Sequence, residues 1–182
     1  MIFIAGVHGV GKSYICNQLK KDFTIYSASG LIEQYGKIQY YSYKKVYNIG
    51  NNQSYLVNAV KQKEKHGEKF ILDGHFCLFN ANNEVEKISL NIFEQLLIEG
   101  IILVWDKEGI IWERIQNREK KTNLLTVYEI AELQEQEIEY AQIVAKELNV
   151  PLVHVNASDK NAVLLCRQFI STLFEDNGKP CV

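Results

Sequence analysis

Short apolar runs alternate with longer stretches of helical period along most of this chain. The runs are Met1 to Ala5, Thr24 to Ser27, Phe70 to Asp73, Ile101 to Trp105 and Leu152 to Val155, each compact enough to be a buried strand. Between them the periodicity predicts helices near residues 12 to 22, 91 to 99, 107 to 120, 126 to 148 and 159 to 174. Strand and helix in turn predict an α/β fold with a parallel sheet, because parallel neighbours need a crossover between them. The long helix has a marked start. Thr126-Val127-Tyr128-Glu129 fits a capping box, and Ile130, Leu133, Glu137 and Tyr140 follow at helical spacing.

Residues 29 to 67 interrupt this alternation with no evident strand and with many Tyr, Asn, Gln and Lys side chains. Gln53 to Lys65 has helical character, with Leu56, Val57 and Val60 inward. A connection of this length is functional or carries helices of its own, so a small helical insertion beside the sheet is expected. Its Tyr40, Tyr41, Tyr43 and Tyr47 either pack the insertion or stack on a base. The tail around Asn177-Gly178-Lys179-Pro180 reads as frayed.

Composition narrows the classes. A chain of 182 residues, 47% hydrophobic, suits a single domain over residues 1 to 182. A net charge of −2 gives no electrostatic footprint for duplex nucleic acid. Cys16, Cys77, Cys166 and Cys181 stand far apart without metal-ligand spacing, which suits reduced thiols in a cytoplasmic protein. Met1 to Ala5 is too short for a secretion signal, and no run approaches the roughly 18 apolar residues of a membrane span.

The sharpest chemical signal follows the first strand. Gly6-Val7-His8-Gly9-Val10-Gly11-Lys12-Ser13 fits G-x-x-x-x-G-K-[ST], a loop whose glycines bring backbone N–H groups against a chain of phosphates. Lys12 is placed to reach the β- and γ-phosphates, Ser13 to ligate Mg²⁺, and the helix opening here directs its positive end at the anion. With Tyr14 behind them, Gly6, His8, Gly9, Val10, Gly11, Lys12 and Ser13 form the expected ATP-binding set.

Phe70-Ile71-Leu72-Asp73-Gly74-His75 sets a carboxylate at the end of a strand, where α/β sheets bind ligands. Asp73 is the natural partner of Mg²⁺, Gly74 would let a substrate approach, and His75 could touch acceptor or phosphate. Gly74 stands where many nucleotide hydrolases carry a water-activating glutamate, which favours transfer over hydrolysis.

Of the 20 Lys and Arg residues, only Arg114, Arg118 and Arg167 are arginines. The first two are four apart on a helix and so share one face, where paired guanidinium forks can hold a phosphoryl group in transfer. In Val155-Asn156-Ala157-Ser158-Asp159, Ser158 or Asp159 is expected to cap the last helix, and Ala157 lies where the same turn would border an adenine.

With these features the chain resembles the P-loop nucleoside monophosphate kinases, most of all their archaeal-type adenylate kinase-like branch, over nearly its whole length. Ser29-Gly30-Leu31-Ile32 looks like the small-residue segment that opens the acceptor region of that family. Trp112-Glu113-Arg114-Ile115-Gln116-Asn117-Arg118 resembles its arginine-bearing approach to the lid. The resemblance implies a three-layer P-loop NTPase fold with strand order 2-3-1-4-5, a lid near residues 114 to 126 that closes over ATP, and use of ATP with Mg²⁺. It also implies Ser29, Gly30, Gly74 and His75 at a small-molecule nucleotide acceptor, and a cytoplasmic monomer or weak homodimer without membrane or duplex partners.

One departure falls on the acceptor side. Residues 29 to 67 contain no arginine, and only Lys37, Lys44 and Lys45 offer point charges where the family commonly uses a bidentate grip. The lid is short and carries Lys120 and Lys121.

The resulting expectation is phosphoryl transfer from Mg²⁺-ATP to a nucleoside monophosphate, catalysed by Lys12, Asp73, Arg114 and Arg118, with no general base required because the acceptor is already ionised. A hydroxyl acceptor, on a small molecule or a polynucleotide, is the alternative within enzymes. It calls for a carboxylate just after the second strand, where Ser27, Ala28 and Ser29 stand and Glu33 is the nearest acid. A nucleotide-dependent switch or assembly factor is the alternative outside transfer.

Overall fold

A computed structural model describes residues 1–36, 49–80, 84–119 and 125–176. In chain order the elements are β1 (Ile2–Ala5), α1 (Lys12–Leu19), β2 (Ile25–Ser27), α2 (Ala28–Gly36), α3 (Ile49–Lys65) and β3 (Ile71–Asp73). They continue with β4 (Cys77–Phe79), β5 (Val85–Lys87), α4 (Leu90–Gln95), β6 (Gly100–Trp105), α5 (Glu108–Glu119), α6 (Val127–Leu148), β7 (Leu152–Asn156) and α7 (Ala162–Asp176).

Five strands pair in parallel in the order β2-β3-β1-β6-β7, with Ile4 opposite both Asp73 and Ile102. This is the implied order, 2-3-1-4-5, once β4 and β5 are set aside. Those two form an unanticipated antiparallel hairpin in which Cys77 faces Lys87 and Phe79 faces Val85. Strands of three residues are too short for an alternating pattern to register, and the ends are tied by Asn80, whose N–H donates to the Glu84 carbonyl at 2.9 Å.

β1 is central and buried throughout, because strands covered on both faces read as continuous apolar runs. Helices flank it, and Leu31 and Ile32 of α2 with Leu56, Val57, Ala59 and Val60 of α3 join the same core. Residues 29 to 67 are thus helical where described, apart from the turn at His66 and Gly67. An aromatic cluster ties β1, α4 and α6 together: the Phe3 ring lies 5.1 Å from Phe76 and 5.7 Å from Phe93, both near edge-on. Tyr140 joins it at 6.3 Å from each of Phe76 and Phe93, and its hydroxyl donates to the Ile88 carbonyl at 2.6 Å.

The capping box expected before α6 is formed, with Thr126 Oγ1 accepting from the Glu129 N–H at 3.2 Å and Glu129 accepting from the Thr126 N–H at 2.7 Å. The last helix differs from expectation. α7 opens at Ala162, so neither Ser158 nor Asp159 caps it; Asp159 instead accepts from the Asn161 N–H at 2.7 Å within the preceding turn. Among the described residues no helix is long and apolar enough to cross a membrane. The tyrosines 40, 41, 43 and 47, lysines 37, 44, 45, 120 and 121, Cys181 and the tail from residue 177 lie outside the described residues.

Candidate active site

Parallel strands end on one edge of the sheet, and here that edge collects Ala5, Ser27, Asp73 and Trp105. The loop after β1 takes its shape from glycine. Gly6 has φ 143°, and a Cβ there would stand 2.2 Å from the Val104 carbonyl oxygen. Gly9 has φ 83°, and its Cβ would strike Ile115 Cγ1 at 2.4 Å. Only a residue without a side chain satisfies both the dihedral and the contact. Gly11 then precedes α1 with no side-chain cap on the helix, which leaves the helix start open to an anion.

Lys12 is 6% exposed, and its Nζ donates to the carbonyl of Gly6 and, at 3.4 Å, to that of Val7. His75 Nε2 lies 3.1 Å away. Burial pushes the ammonium below its ordinary pKa, while the carboxylates of Asp73 and then Glu137 draw it back up.

Glu137 is the residue that sequence reasoning missed. It is 1% exposed and its carboxylate accepts N–H bonds from Gly6 at 3.2 Å, Phe76 at 2.9 Å and Cys77 at 2.6 Å. Burial raises its pKa, opposed by the Phe76 N–H, by Lys12, and by the N–H groups of Cys77 and Gly6. The available signal was an acid at an inward position of α6, among Ile130, Leu133 and Ala141, where a lone apolar stripe would be normal.

The two arginines separate in role. Arg114 Nη1 donates to the Val10 carbonyl at 2.6 Å and pairs with Asp106 at 2.9 Å, while Nη2 reaches Ser158 Oγ at 3.1 Å. Asp106 is 1% exposed and also accepts from Ser158 Oγ at 2.5 Å. Arg114 therefore struts the phosphate loop against β6 and the turn after β7. Arg118 reaches His8 Nε2 instead. Both border the same cavity.

That cavity, about 720 Å³, runs from the phosphate loop to α2 and α3. Lys12, Ser13, Asp73, Gly74, His75, Ser29 and Glu33 line its polar side, and Ile32, Leu56, Ile88 and Phe93 its apolar side. Several expected site residues sit differently. Gly74 borders the cavity, but a Cβ there would meet the Phe3 ring at 2.7 Å, so the room it frees is taken by Phe3 and not by a substrate. Gly30 donates its N–H to Ser27 Oγ at 3.1 Å and faces a second cavity of about 380 Å³, which shares Ser13 and Asp73 with the first. Tyr14 is 63% exposed on the outer side of α1, outside either lining. Ala157 also lies outside both linings; its N–H donates to the Trp105 carbonyl at 2.8 Å, and its Cβ sits 3.1 Å from where a Gly11 side chain would begin.

The residues present fit a Mg²⁺-bound nucleoside triphosphate. An uncapped helix start, a buried ammonium, and Ser13 and Asp73 on one cavity wall are the donor set such a ligand needs. Among the described residues no three His, Cys, Asp or Glu side chains gather as a metal cage, and Mg²⁺ held by phosphates requires none. Among the described residues, burial pushes the thiols of Cys16, Cys77 and Cys166 each up to about 12, away from the range of a reactive thiolate.

A family model described as an AAA domain matches residues 2–145. The chain belongs to the AAA domain family. No curated protein matches this AAA domain. Among solved structures it is similar to an uncharacterised protein from Eubacterium ventriosum, at TM-score 0.52 and 12% identity over 94% of this chain and 97% of that one. It is also similar to a shikimate kinase from Bacteroides thetaiotaomicron, at TM-score 0.50 and 14% identity over 96% of this chain and 97% of that one. At such identities the likeness is one of fold, and the AAA domain has the P-loop kinase-like fold. The archaeal-type adenylate kinase branch is a finer assignment than these matches carry.

Proposed function

We propose that this protein transfers the γ-phosphoryl group of Mg²⁺-ATP to a small-molecule acceptor bound between the phosphate loop and α2 and α3. The observation that carries the reading is one continuous cavity whose lining includes Lys12, at the uncapped start of α1, together with Ser29 and Glu33 of α2. Bound Mg²⁺ would neutralise charge on the phosphates, and Ser13 and Asp73 would hold it. Lys12 and Arg118 stabilise charge that spreads over the transferred group, and Arg114 keeps the loop in register.

Two acceptor classes compete. A nucleoside monophosphate is favoured by the resemblance to archaeal-type adenylate kinases and needs no base. The residues that α2 and α3 contribute to the cavity favour a hydroxyl instead: they include Glu33 and no cation among the described residues. A phosphate dianion beside Glu33 and Asp73 meets like charge, whereas a hydroxyl finds an acceptor for its proton. The hydroxyl acceptor is therefore our conclusion.

The test is a panel of monophosphates and neutral hydroxyl compounds incubated with Mg²⁺-ATP, with the phosphorylated product identified by mass. ADP and free phosphate released whatever is added would sink the kinase reading and support a nucleotide-hydrolysing switch.

A further inference from the structure

The cavity's far wall carries two buried amides that phosphate chemistry does not use. Asn52 and Gln53 are adjacent on α3, 3% and 6% exposed, and both line the 720 Å³ cavity. The next turn of α3 buries Leu56, Val57, Ala59 and Val60, as a helix laid on a core should. Amides at the head of that face cost free energy unless a partner answers them.

For the Gln53 side-chain oxygen the described residues supply no such partner. Its Oε1 is one of two buried side-chain oxygens without a hydrogen bond among the described residues; the other, on Glu64, is not part of this lining. An unanswered buried carbonyl is a penalty on folding, removed when a bound molecule brings an N–H or O–H donor. The terminal amide torsion is broad and two-fold, so rotation about it by roughly half a turn exchanges oxygen and nitrogen at the cavity. The surrounding wall is apolar, built from Ile32, Leu56, Ile88 and Phe93.

We propose that the acceptor is an uncharged, hydroxyl-bearing ring compound with an N–H-bearing edge read by Asn52 and Gln53, the chemistry of a nucleoside and not of its monophosphate. This rests on the kinase reading above. Its ring lies on the apolar wall, and its hydroxyl faces Glu33 and the phosphate loop. In the step, a bond forms between the acceptor hydroxyl oxygen and the γ-phosphorus as the bond from that phosphorus to the β,γ-bridging oxygen breaks. The hydroxyl proton passes to Glu33, and ADP leaves with the bridging oxygen.

The experiment uses the full chain with Mg²⁺-ATP and three sets of compounds: the common nucleosides, their 5′-monophosphates, and cyclic polyols without N–H groups. A nucleoside phosphorylated in preference to its monophosphate and to the polyols is the expected result. Gln53→Met fills the same volume without the amide, and it is expected to raise the acceptor KM about tenfold, the worth of roughly 1.4 kcal/mol, with the ATP KM within about twofold of wild type. A thermal melt confirms folding, and Gln53→Glu, which keeps an acceptor oxygen, should retain more acceptor affinity than the Met variant. Preference for a monophosphate or a polyol, or an unchanged acceptor KM in Gln53→Met, overturns the acceptor assignment while leaving phosphoryl transfer standing. Transfer to none of the compounds overturns both.

Discussion

Glu137 of α6 accepts the backbone N–H of Gly6 at 3.2 Å, so a carboxylate 131 residues away fixes the first residue of the phosphate loop. The same group holds Phe76 and Cys77, just beyond Asp73, Gly74 and His75. One buried side chain thereby sets the spacing between the loop that binds phosphate and the strand end that faces it. Glu137→Ala leaves three buried N–H groups unanswered and strips a negative charge from the surroundings of Lys12. We expect a loss of about 3–5 kcal/mol in urea unfolding, with a smaller loss for Glu137→Gln, which keeps one acceptor oxygen. An alanine variant as stable as wild type would mean that the carboxylate is not what holds these segments.

The pH dependence has a definite sign. Burial raises the native pKa of Glu137 above its ordinary 4.5, so between 4.5 and the raised value the native protein keeps a proton that the unfolded chain has lost. Its contribution to stability is therefore fully present below 4.5 and falls as pH rises through the native value. Unfolding of wild type and Glu137→Gln across that range should show the wild-type advantage shrinking as pH rises. Glu129 behaves oppositely, because the Thr126 backbone and side-chain bonds lower its pKa; its contribution is present above 4.5 and is lost as pH falls through the native value.

Arg114 and Arg118 should give different kinetic signatures. Arg114→Ala removes the strut on the Val10 carbonyl and leaves buried Asp106 without its guanidinium, so ATP affinity and thermal stability should fall together. Arg118→Ala should slow turnover by roughly 10²-fold or more with a much smaller change in ATP affinity, as expected of a group that acts on developing charge. Equal effects on affinity from both variants would contradict this division.

Lys12→Ala should abolish measurable turnover and weaken ATP binding, checked by titration calorimetry and product assay. It also takes the cation away from buried Glu137 and the donor away from the Gly6 and Val7 carbonyls, so thermal stability should fall together with function. Unchanged ATP binding and turnover would dismiss the whole site.

The phosphate loop, the five sheet strands and the α6 capping box were legible because their signals are local. Loop glycines, short apolar runs and a Thr-x-x-Glu start are set by dihedrals, burial and hydrogen bonds within a few residues. The β4–β5 hairpin was not legible, since three-residue strands carry too little pattern. The spacing of Arg114 and Arg118 showed a shared helix face but not what each fork would meet, because Val10, Asp106, Ser158 and His8 arrive from distant segments.

By itself the sequence determined an α/β chain with a nucleotide-binding loop and the carboxylate of Asp73 at the facing strand end. Only the tertiary structure decided that Glu137 lies beneath that loop, that Gly74 makes room for Phe3, and that Glu33, Asn52 and Gln53 share one cavity. The physical reason is common to all three. Which remote groups meet around a given side chain is fixed by packing between distant segments, which no local period encodes.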